Sequence, residues 1–213
     1  MNGEPRAGRC VIFGSGETAG APYAPLPNDY LIAADGGYEA IRARGLSPEL
    51  VVGDFDSLGY QPEGDNVIAL PCEKDDPDLI LAIQLGLDRG YREFQLYGAA
   101  GSRLDHTFAN LLALRYLADH GANGRIVTPN SELFILRNGR ASFSADERGK
   151  ISIFSLSERS CGVTLTGLKY RLTDRTLESS EWIGLSNEFI GEPASIEVRD
   201  GTLLIVKNAE WAQ

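Results

Sequence analysis

The sequence predicts an α/β fold: an N-terminal, mostly parallel sheet with flanking helices, followed by a small all-β sandwich. Three observations carry this reading. Short apolar runs alternate with amphipathic helical segments up to about Ile135, which is the βα alternation of a parallel sheet. Near Arg140 the texture changes to short strand-like runs with no long helical pattern among them. The early apolar runs also end in glycine or carboxylate, at the strand ends where open parallel sheets hold their ligands. The expected domains are 1–139 and 140–213.

Cys10-Val11-Ile12-Phe13 forms the first strand candidate. Gly14-Ser15-Gly16-Glu17-Thr18-Ala19 follows it and resembles a dinucleotide fingerprint, with Asp35 at a tolerable distance for a ribose contact. The fingerprint requires a helix to begin at once, however, and Pro22, Pro25 and Pro27 disfavour one, so this segment reads as a loop. Tyr30-Leu31-Ile32-Ala33-Ala34 is a buried strand that delivers Asp35 ahead of Gly36-Gly37, glycines that let backbone approach a ligand closely.

The most informative run is Val51-Val52-Gly53-Asp54-Phe55-Asp56-Ser57. If it is a strand, alternate side chains share a face, so Asp54 and Asp56 point the same way and Phe55 points back into the body. At ~5 Å and an effective dielectric of ~20 their repulsion is about 3 kcal/mol, which a bound divalent cation would relieve. The pair suggests a metal site; a solvated acidic turn is the alternative.

Asn66–Leu70 is a further strand, followed by Lys74-Asp75-Asp76-Pro77-Asp78. The spacing predicts a helix between Asp78 and Gly90, with Leu79, Ile80, Ala82, Ile83 and Leu87 on its apolar face. Phe94–Tyr97 then runs into the glycine-bearing loop Gly98-Ala99-Ala100-Gly101-Ser102-Arg103-Leu104-Asp105-His106. That loop opens a helix from Asp105 to His120, whose apolar face carries Phe108, Leu111, Leu112 and Leu117. In the tail, Ile151–Leu156, Val163–Leu165, Ser195–Val198 and Leu203–Val206 are strand candidates, and Asp200-Gly201 is a two-residue hairpin signal.

Bulk composition narrows the function class. A chain of 213 residues, 43% hydrophobic, can build one large core or two modest ones. No apolar stretch approaches the ~20 residues needed to span a bilayer, and Met1–Arg6 lacks the order of a secretory signal, so a cytoplasmic protein is expected. Cys10, Cys72 and Cys161 are odd in number and widely spaced, which favours reduced thiols packed in cores. A formal charge of −10 disfavours nucleic acid and anionic membrane as partners. It still permits a nucleotide, provided Mg²⁺ sits between carboxylate and phosphate.

Taken together, Asp35-Gly36-Gly37, Gly53-Asp54-Phe55-Asp56-Ser57, Lys74-Asp75-Asp76-Pro77-Asp78, Gly101-Ser102-Arg103-Leu104-Asp105-His106 and Gly167-Leu168-Lys169-Tyr170 with Gly184-Leu185-Ser186-Asn187-Glu188 resemble the thiamine pyrophosphokinase family in order and spacing. The resemblance implies Mg²⁺-dependent transfer of a diphosphoryl group from ATP to the hydroxyethyl oxygen of thiamine, giving thiamine diphosphate and AMP. It also implies a homodimer, with an α/β nucleotide domain, a β-sandwich, and a thiamine site where two subunits meet. On the same grounds Asp54, Asp56 and Asp78 are the expected magnesium ligands, and Asp35 is their neighbour. Arg103 and Asp105 match the catalytic motif at the phosphate and substrate side. Gly36, Gly37, Ser57, Lys74, Gly101, Ser102 and His106 belong to the matched nucleotide motifs, and Tyr170, Ser186 and Asn187 to the thiamine segment. Two positions depart from the family pattern. Pro77 stands where Thr is usual, removing a hydroxyl and a backbone donor while suiting the first turn of a helix, and Ser102 stands where the second glycine of Gly-Gly-Arg is usual. For several of these residues a structural role is open beside the functional one: helix capping for Asp105 and His106, an ion pair for Arg103, a core position for Tyr170, and solvated charge for Lys74. Diphosphate transfer to a pterin alcohol, or a non-catalytic sensor of thiamine diphosphate or a nucleotide, are the alternative functions.

Overall fold

In the computed structural model, residues 6–71, 77–101 and 103–208 are described. The chain divides between Pro129 and Asn130 into two compact units.

The first unit contains strands β1 (Arg9–Phe13), β2 (Tyr30–Ala34), β3 (Leu50–Gly53), β4 (Val67–Ala69), β5 (Glu93–Tyr97) and β6 (Asn123–Val127), and helices α1 (Gly37–Arg42), α2 (Asp78–Asp88) and α3 (Leu104–Asp119). The strands stand in the order β6-β5-β1-β2-β3-β4, and each neighbouring pair is parallel. Strands covered on both faces read as continuous apolar runs, and Cys10, Val11, Ile12 and Phe13 of β1 are all buried. From β1 the chain builds outward through β2, β3 and β4, then returns to place β5 and β6 on the other side. The order therefore reverses between β1 and β5, the position where open α/β sheets leave a crevice.

Residues 14–29 form no helix, as the proline series requires. A clamp holds this loop in place. Arg9 Nε donates to Asp29 Oδ1 (2.8 Å) and its terminal nitrogen to Oδ2 (2.6 Å), while the Tyr23 hydroxyl and the Leu26 N–H also donate to Oδ2. Burial pushes the Asp29 carboxyl up, but Arg9 and the Leu26 N–H outweigh it and hold it below its ordinary value. The Tyr23 ring packs edge-on against Phe13 and Tyr97.

Two helical expectations need correction. The buried face of α3 runs through Ala113, Leu114 and Leu117, whereas Phe108 and Leu112 are 64% and 54% exposed and continue a stripe from Leu104. Residues at i, i+4 and i+8 share one face whichever way the helix is rotated, so periodicity alone could not assign this stripe to the core. In α2 the buried residues are Leu79, Ala82, Ile83 and Gly86, with Ile80 and Leu87 only half-buried. Gly86 is the contact glycine here, since a Cβ there would press on the Phe94 ring and Cys10 Sγ.

The second unit is all β: β7 (Ser131–Phe143), β8 (Lys150–Ser155), β9 (Arg159–Thr166), β10 (Leu172–Glu178), β11 (Asn187–Glu188) and β12 (Ala194–Asn208). Its pairings are antiparallel, with β12 as the hub. β12 pairs with β7 along its length, with β9 through its first half and with β8 through its second, and Ile151, Ile153, Val163, Leu165, Ile196 and Ile205 meet in one core. The division between units falls ahead of the expected 139/140 boundary because β7 crosses that point as one continuous strand. Asp200-Gly201 makes no hairpin. The two expected strands on either side are one strand with a bulge, in which residues 199–201 stand opposite Asn138 alone. The Gly201 N–H donates to Asn138 Oδ1 (2.8 Å), and Asp200 still pairs with Cys161 of β9, so the ladder resumes where a hairpin would have reversed it. Among the described residues, no helix is long and apolar enough to cross a membrane.

Gly37 is buried at the start of α1, and a Cβ there would fall on the backbone carbonyl of Phe13. Gly37→Ala is expected to destabilise the fold by about 3 kcal/mol, at the upper end of overpacking costs. Urea unfolding measures this, and an unchanged midpoint would remove the packing role.

Candidate active site

Strand ends build the acidic cluster. Asp35 follows β2, Asp54 follows β3 and Asp78 opens α2, and each offers a carboxylate oxygen within 4.8 Å of the others. Asp35 takes a left-handed backbone conformation (φ 50°), and its N–H donates to the Val52 carbonyl (2.8 Å), tying the end of β2 to β3. Gly53 has no Cβ because one would press on the Asp35 backbone at 3.0 Å. The Oδ1 atom of Asp35 is buried and receives no hydrogen bond among the described residues. Hard carboxylate oxygens from three separate elements can bind a divalent cation such as Mg²⁺.

The strand argument for Asp54 and Asp56 does not hold. β3 stops at Gly53, and buried Phe55 adopts φ 61°, after which the chain turns with the N–H groups of Leu58 and Gly59 on the Phe55 carbonyl. Period-2 alternation ends with the strand. Asp54 joins the cluster, while Asp56 is exposed and donates its backbone N–H to Asp54 Oδ1 (3.2 Å). Asp35, expected only as a neighbour, occupies the third place in the group.

Gly36 lies beside two hydroxyls, since a Cβ there would sit 3.1 Å from both Ser15 Oγ and Ser57 Oγ. The Gly101 N–H donates to Thr107 Oγ1 (3.1 Å), and Asn110 Nδ2 donates to the Ala99 carbonyl (2.7 Å), so α3 braces the loop that precedes it. Helix α3 begins at Leu104 with Arg103 at its N-cap position and no side-chain cap, so Asp105 lies in the first turn instead of capping it. Arg103 donates to Asp105 through Nε (3.3 Å) and a terminal nitrogen (2.7 Å), with both side chains about two-thirds exposed. Arg103, and then the His106 N–H, pull the Asp105 carboxyl down to about 2. A carboxylate held that low is a weak proton acceptor, which favours an orienting role over that of a base. His106 is exposed; Lys74 and Ser102 lie outside the described residues.

The remaining site residues belong to the second unit. Asn187 is 2% exposed and its side chain is engaged on the Tyr170 backbone: Oδ1 accepts from the Tyr170 N–H (2.9 Å) and Nδ2 donates to the Tyr170 carbonyl (2.7 Å). Its side chain is thus an anchor for Tyr170, whose ring is 60% exposed with Lys169 Nζ 5.8 Å from its centroid. This settles the core alternative for Tyr170 in favour of an exposed ring. Ser186 is exposed, has φ 56°, and donates its N–H to Ser152 Oγ (2.9 Å).

Two family models cover most of the chain. Residues 26–126 match the thiamin pyrophosphokinase catalytic domain, and residues 142–203 match the thiamin pyrophosphokinase vitamin B1 binding domain. The chain belongs to the thiamin pyrophosphokinase family. A curated relative, the thiamine pyrophosphokinase of Bacillus subtilis, is 27% identical over 186 residues, covering 84% of this chain and 87% of that protein. Thiamin pyrophosphokinase 1 of Caenorhabditis elegans is 22% identical over 196 residues, covering 85% and 80%. Among solved structures, the thiamin pyrophosphokinase of Geobacillus thermodenitrificans superposes with a TM-score of 0.81 at 26% identity, covering 96% of this chain and 99% of that one. The Bacillus subtilis structure shares the fold with a TM-score of 0.84 at 24% identity, covering 95% and 100%.

For this thiamin pyrophosphokinase family member, reading the sequence missed Ser15, Thr107, Asn110 and Trp182. The first three act through hydrogen bonds across turns, which leave no periodic trace. Trp182 is 76% exposed just ahead of Gly184-Leu185-Ser186, and that exposure is visible only in the fold.

The Arg103–Asp105 pair generates a pH prediction. A depressed carboxylate stabilises the paired form above its unfolded value and loses that contribution as pH falls through about 2. NMR titration of the Asp105 carboxyl carbon is expected to show a midpoint near 2 that rises to the ordinary carboxylate range in Arg103→Ala. An ordinary midpoint in the unsubstituted protein would show that the pair does not persist in solution.

Proposed function

We propose that this protein transfers a diphosphoryl group from ATP to the hydroxyethyl oxygen of thiamine, yielding thiamine diphosphate and AMP, with Mg²⁺ as the metal. The observation that carries this reading is the convergence of Asp35 and Asp54, at the ends of β2 and β3, with Asp78 at the start of α2, in a chain matched by both a catalytic and a vitamin B1 binding model. The donor set fits the metal: all oxygen, anionic, and including the buried Asp35 Oδ1, which no described donor serves. Asp54 and Asp78 would hold the ion with Asp35, and exposed Asp56 would add its negative charge beside them. When bound, Mg²⁺ would supply charge neutralisation at the phosphate oxygens.

The rest falls to the chain. Attack by the thiamine oxygen on the β-phosphorus breaks the α–β bridge and releases AMP, a displacement that asks the protein mainly for in-line positioning and charge compensation. Arg103 would compensate phosphate charge from the N-terminal end of α3, and Asp105 would hold its guanidinium in place. Gly36, Ser57 and Gly101 would line the phosphate approach, with Lys74, Ser102 and His106 nearby in sequence. The packing of Gly37 on Phe13 supports an indirect role for that residue.

For thiamine, the exposed rings of Tyr170 and Trp182 and the hydroxyl of Ser186 would contact the substrate, with Asn187 fixing the Tyr170 backbone. A thiazolium cation suits an aromatic face. The two flanks of β12 would form the layers of a small sandwich. We place the enzyme in the cytoplasm, where thiols such as Cys10 and Cys161 stay reduced. We also infer a homodimer that completes the thiamine site at the subunit interface, supported by the exposed Leu104, Phe108 and Leu112 stripe on α3; sedimentation as an active monomer would remove it.

Incubation with ATP, Mg²⁺ and thiamine is expected to give AMP and thiamine diphosphate in equal amounts by chromatography. Formation of ADP and thiamine monophosphate would reject attack at the β-phosphorus.

A further inference from the structure

The glycines of Gly14-Ser15-Gly16 do not cradle a phosphate. The Gly14 N–H is spent on the Tyr97 carbonyl (2.8 Å) and the Gly16 N–H on the Gly98 carbonyl (3.0 Å). A Cβ at Gly16 would fall on that same Gly98 carbonyl, and one at Gly14 would lie 3.2 Å from it. The two glycines let the loop after β1 interlock with the loop after β5, on either side of the switch point. What this interlock fixes is Ser15. Its hydroxyl donates to Asp35 Oδ2 (3.1 Å) and accepts from the Gly36 N–H (3.1 Å).

We propose that Ser15 is a positioning residue that sets the Asp35 carboxylate for the divalent cation, an inference that rests on the metal-site reading above. The terminal torsion of an aspartate is broad and roughly two-fold, so the backbone conformation of Asp35 does not by itself fix where its oxygens point. Ser15 satisfies Oδ2, while Oδ1 is the buried atom that receives no hydrogen bond among the described residues and belongs to a carboxylate grouped with Asp54 and Asp78. A hydroxyl has one proton and two lone pairs, so Ser15 can hold Gly36 and Asp35 at once. Alanine loses both bonds, and threonine keeps the hydroxyl.

The test is Mn²⁺ binding without nucleotide, followed by electron paramagnetic resonance, in the full-length protein and in Ser15→Ala, Ser15→Thr, Asp35→Asn and the Ser15→Ala/Asp35→Asn double variant. Ser15→Ala is expected to bind Mn²⁺ roughly 10- to 100-fold more weakly, the usual cost of removing a partner behind a ligand. Ser15→Thr is expected to stay near the unsubstituted protein, and Ser15→Ala should add nothing once Asp35 is Asn. Unchanged binding in Ser15→Ala while Asp35→Asn is weakened overturns the positioning role and leaves the metal site standing. Unchanged binding in Asp35→Asn overturns both. Ser15→Ala weakening Mn²⁺ binding as much in the Asp35→Asn background as in the unsubstituted protein would show that Ser15 does not act through Asp35 and also overturn the inference.

Discussion

Asp35, Asp54 and Asp78 bring carboxylate oxygens within 4.8 Å of one another, and that crowding is the constraint on which the rest of the site depends. Each pair at ~5 Å and an effective dielectric of ~20 costs about 3 kcal/mol. Such a cluster persists only if the scaffold enforces it. Here the scaffold is a parallel sheet whose strand ends are locked by short-range features: the left-handed Asp35, the Asp35–Val52 backbone bond, and a Gly53 that admits the Asp35 backbone. The repulsion held in the folded chain is the free energy a cation can release on binding, so the same geometry that opposes folding favours the metal.

The surroundings follow from this arrangement. The loop after β1 is interlocked with the loop after β5, and it carries Ser15 to the Asp35 carboxylate. The loop after β5 is in turn braced by Thr107 and Asn110 of α3, whose first turn holds the Arg103–Asp105 pair. The acidic cluster and the Arg103–Asp105 pair are thus each held by loops of the same parallel sheet, and under the proposed function they supply the positioning and charge that the reaction requires. In the second unit the design is different. Asn187 is buried and holds the Tyr170 backbone, and the Tyr170 and Trp182 side chains are exposed, so under the proposed function they offer faces to a flat cationic substrate.

Much of this was legible in the sequence, for identifiable reasons. Strands buried on both faces leave continuous apolar runs, so β1, β2 and β3 were readable, and the carboxylates stood out because they terminate those runs. Where burial is one-sided or partial, the signal fades. α1 is six residues long with little more than Ile41 to mark its face, and β10 is an edge strand whose polar Thr173, Asp174 and Arg175 lie in solvent. Asp200-Gly201 misled because a glycine turn signal serves a bulge as well as a hairpin, and only the partner strand distinguishes them. Asp56 misled because the period-2 rule was carried three residues past Gly53, the end of the strand, across the turn at Phe55. The exchange of Asp56 for Asp35 in the cluster is a tertiary fact, since β2 and β3 are brought together by pairing that the sequence does not display locally.

Calorimetry of the unsubstituted protein and Asp54→Asn, each with chelator and with Mg²⁺, tests the central claim most directly. If the cluster stores repulsion that a cation relieves, the metal-free melting temperature of the variant is level with or above that of the unsubstituted protein, and Mg²⁺ raises the melting temperature of the unsubstituted protein alone. A variant that melts several degrees lower without metal, alongside an unsubstituted protein that Mg²⁺ leaves unchanged, would show that Asp54 is a structural carboxylate and that the cluster is not a cation site.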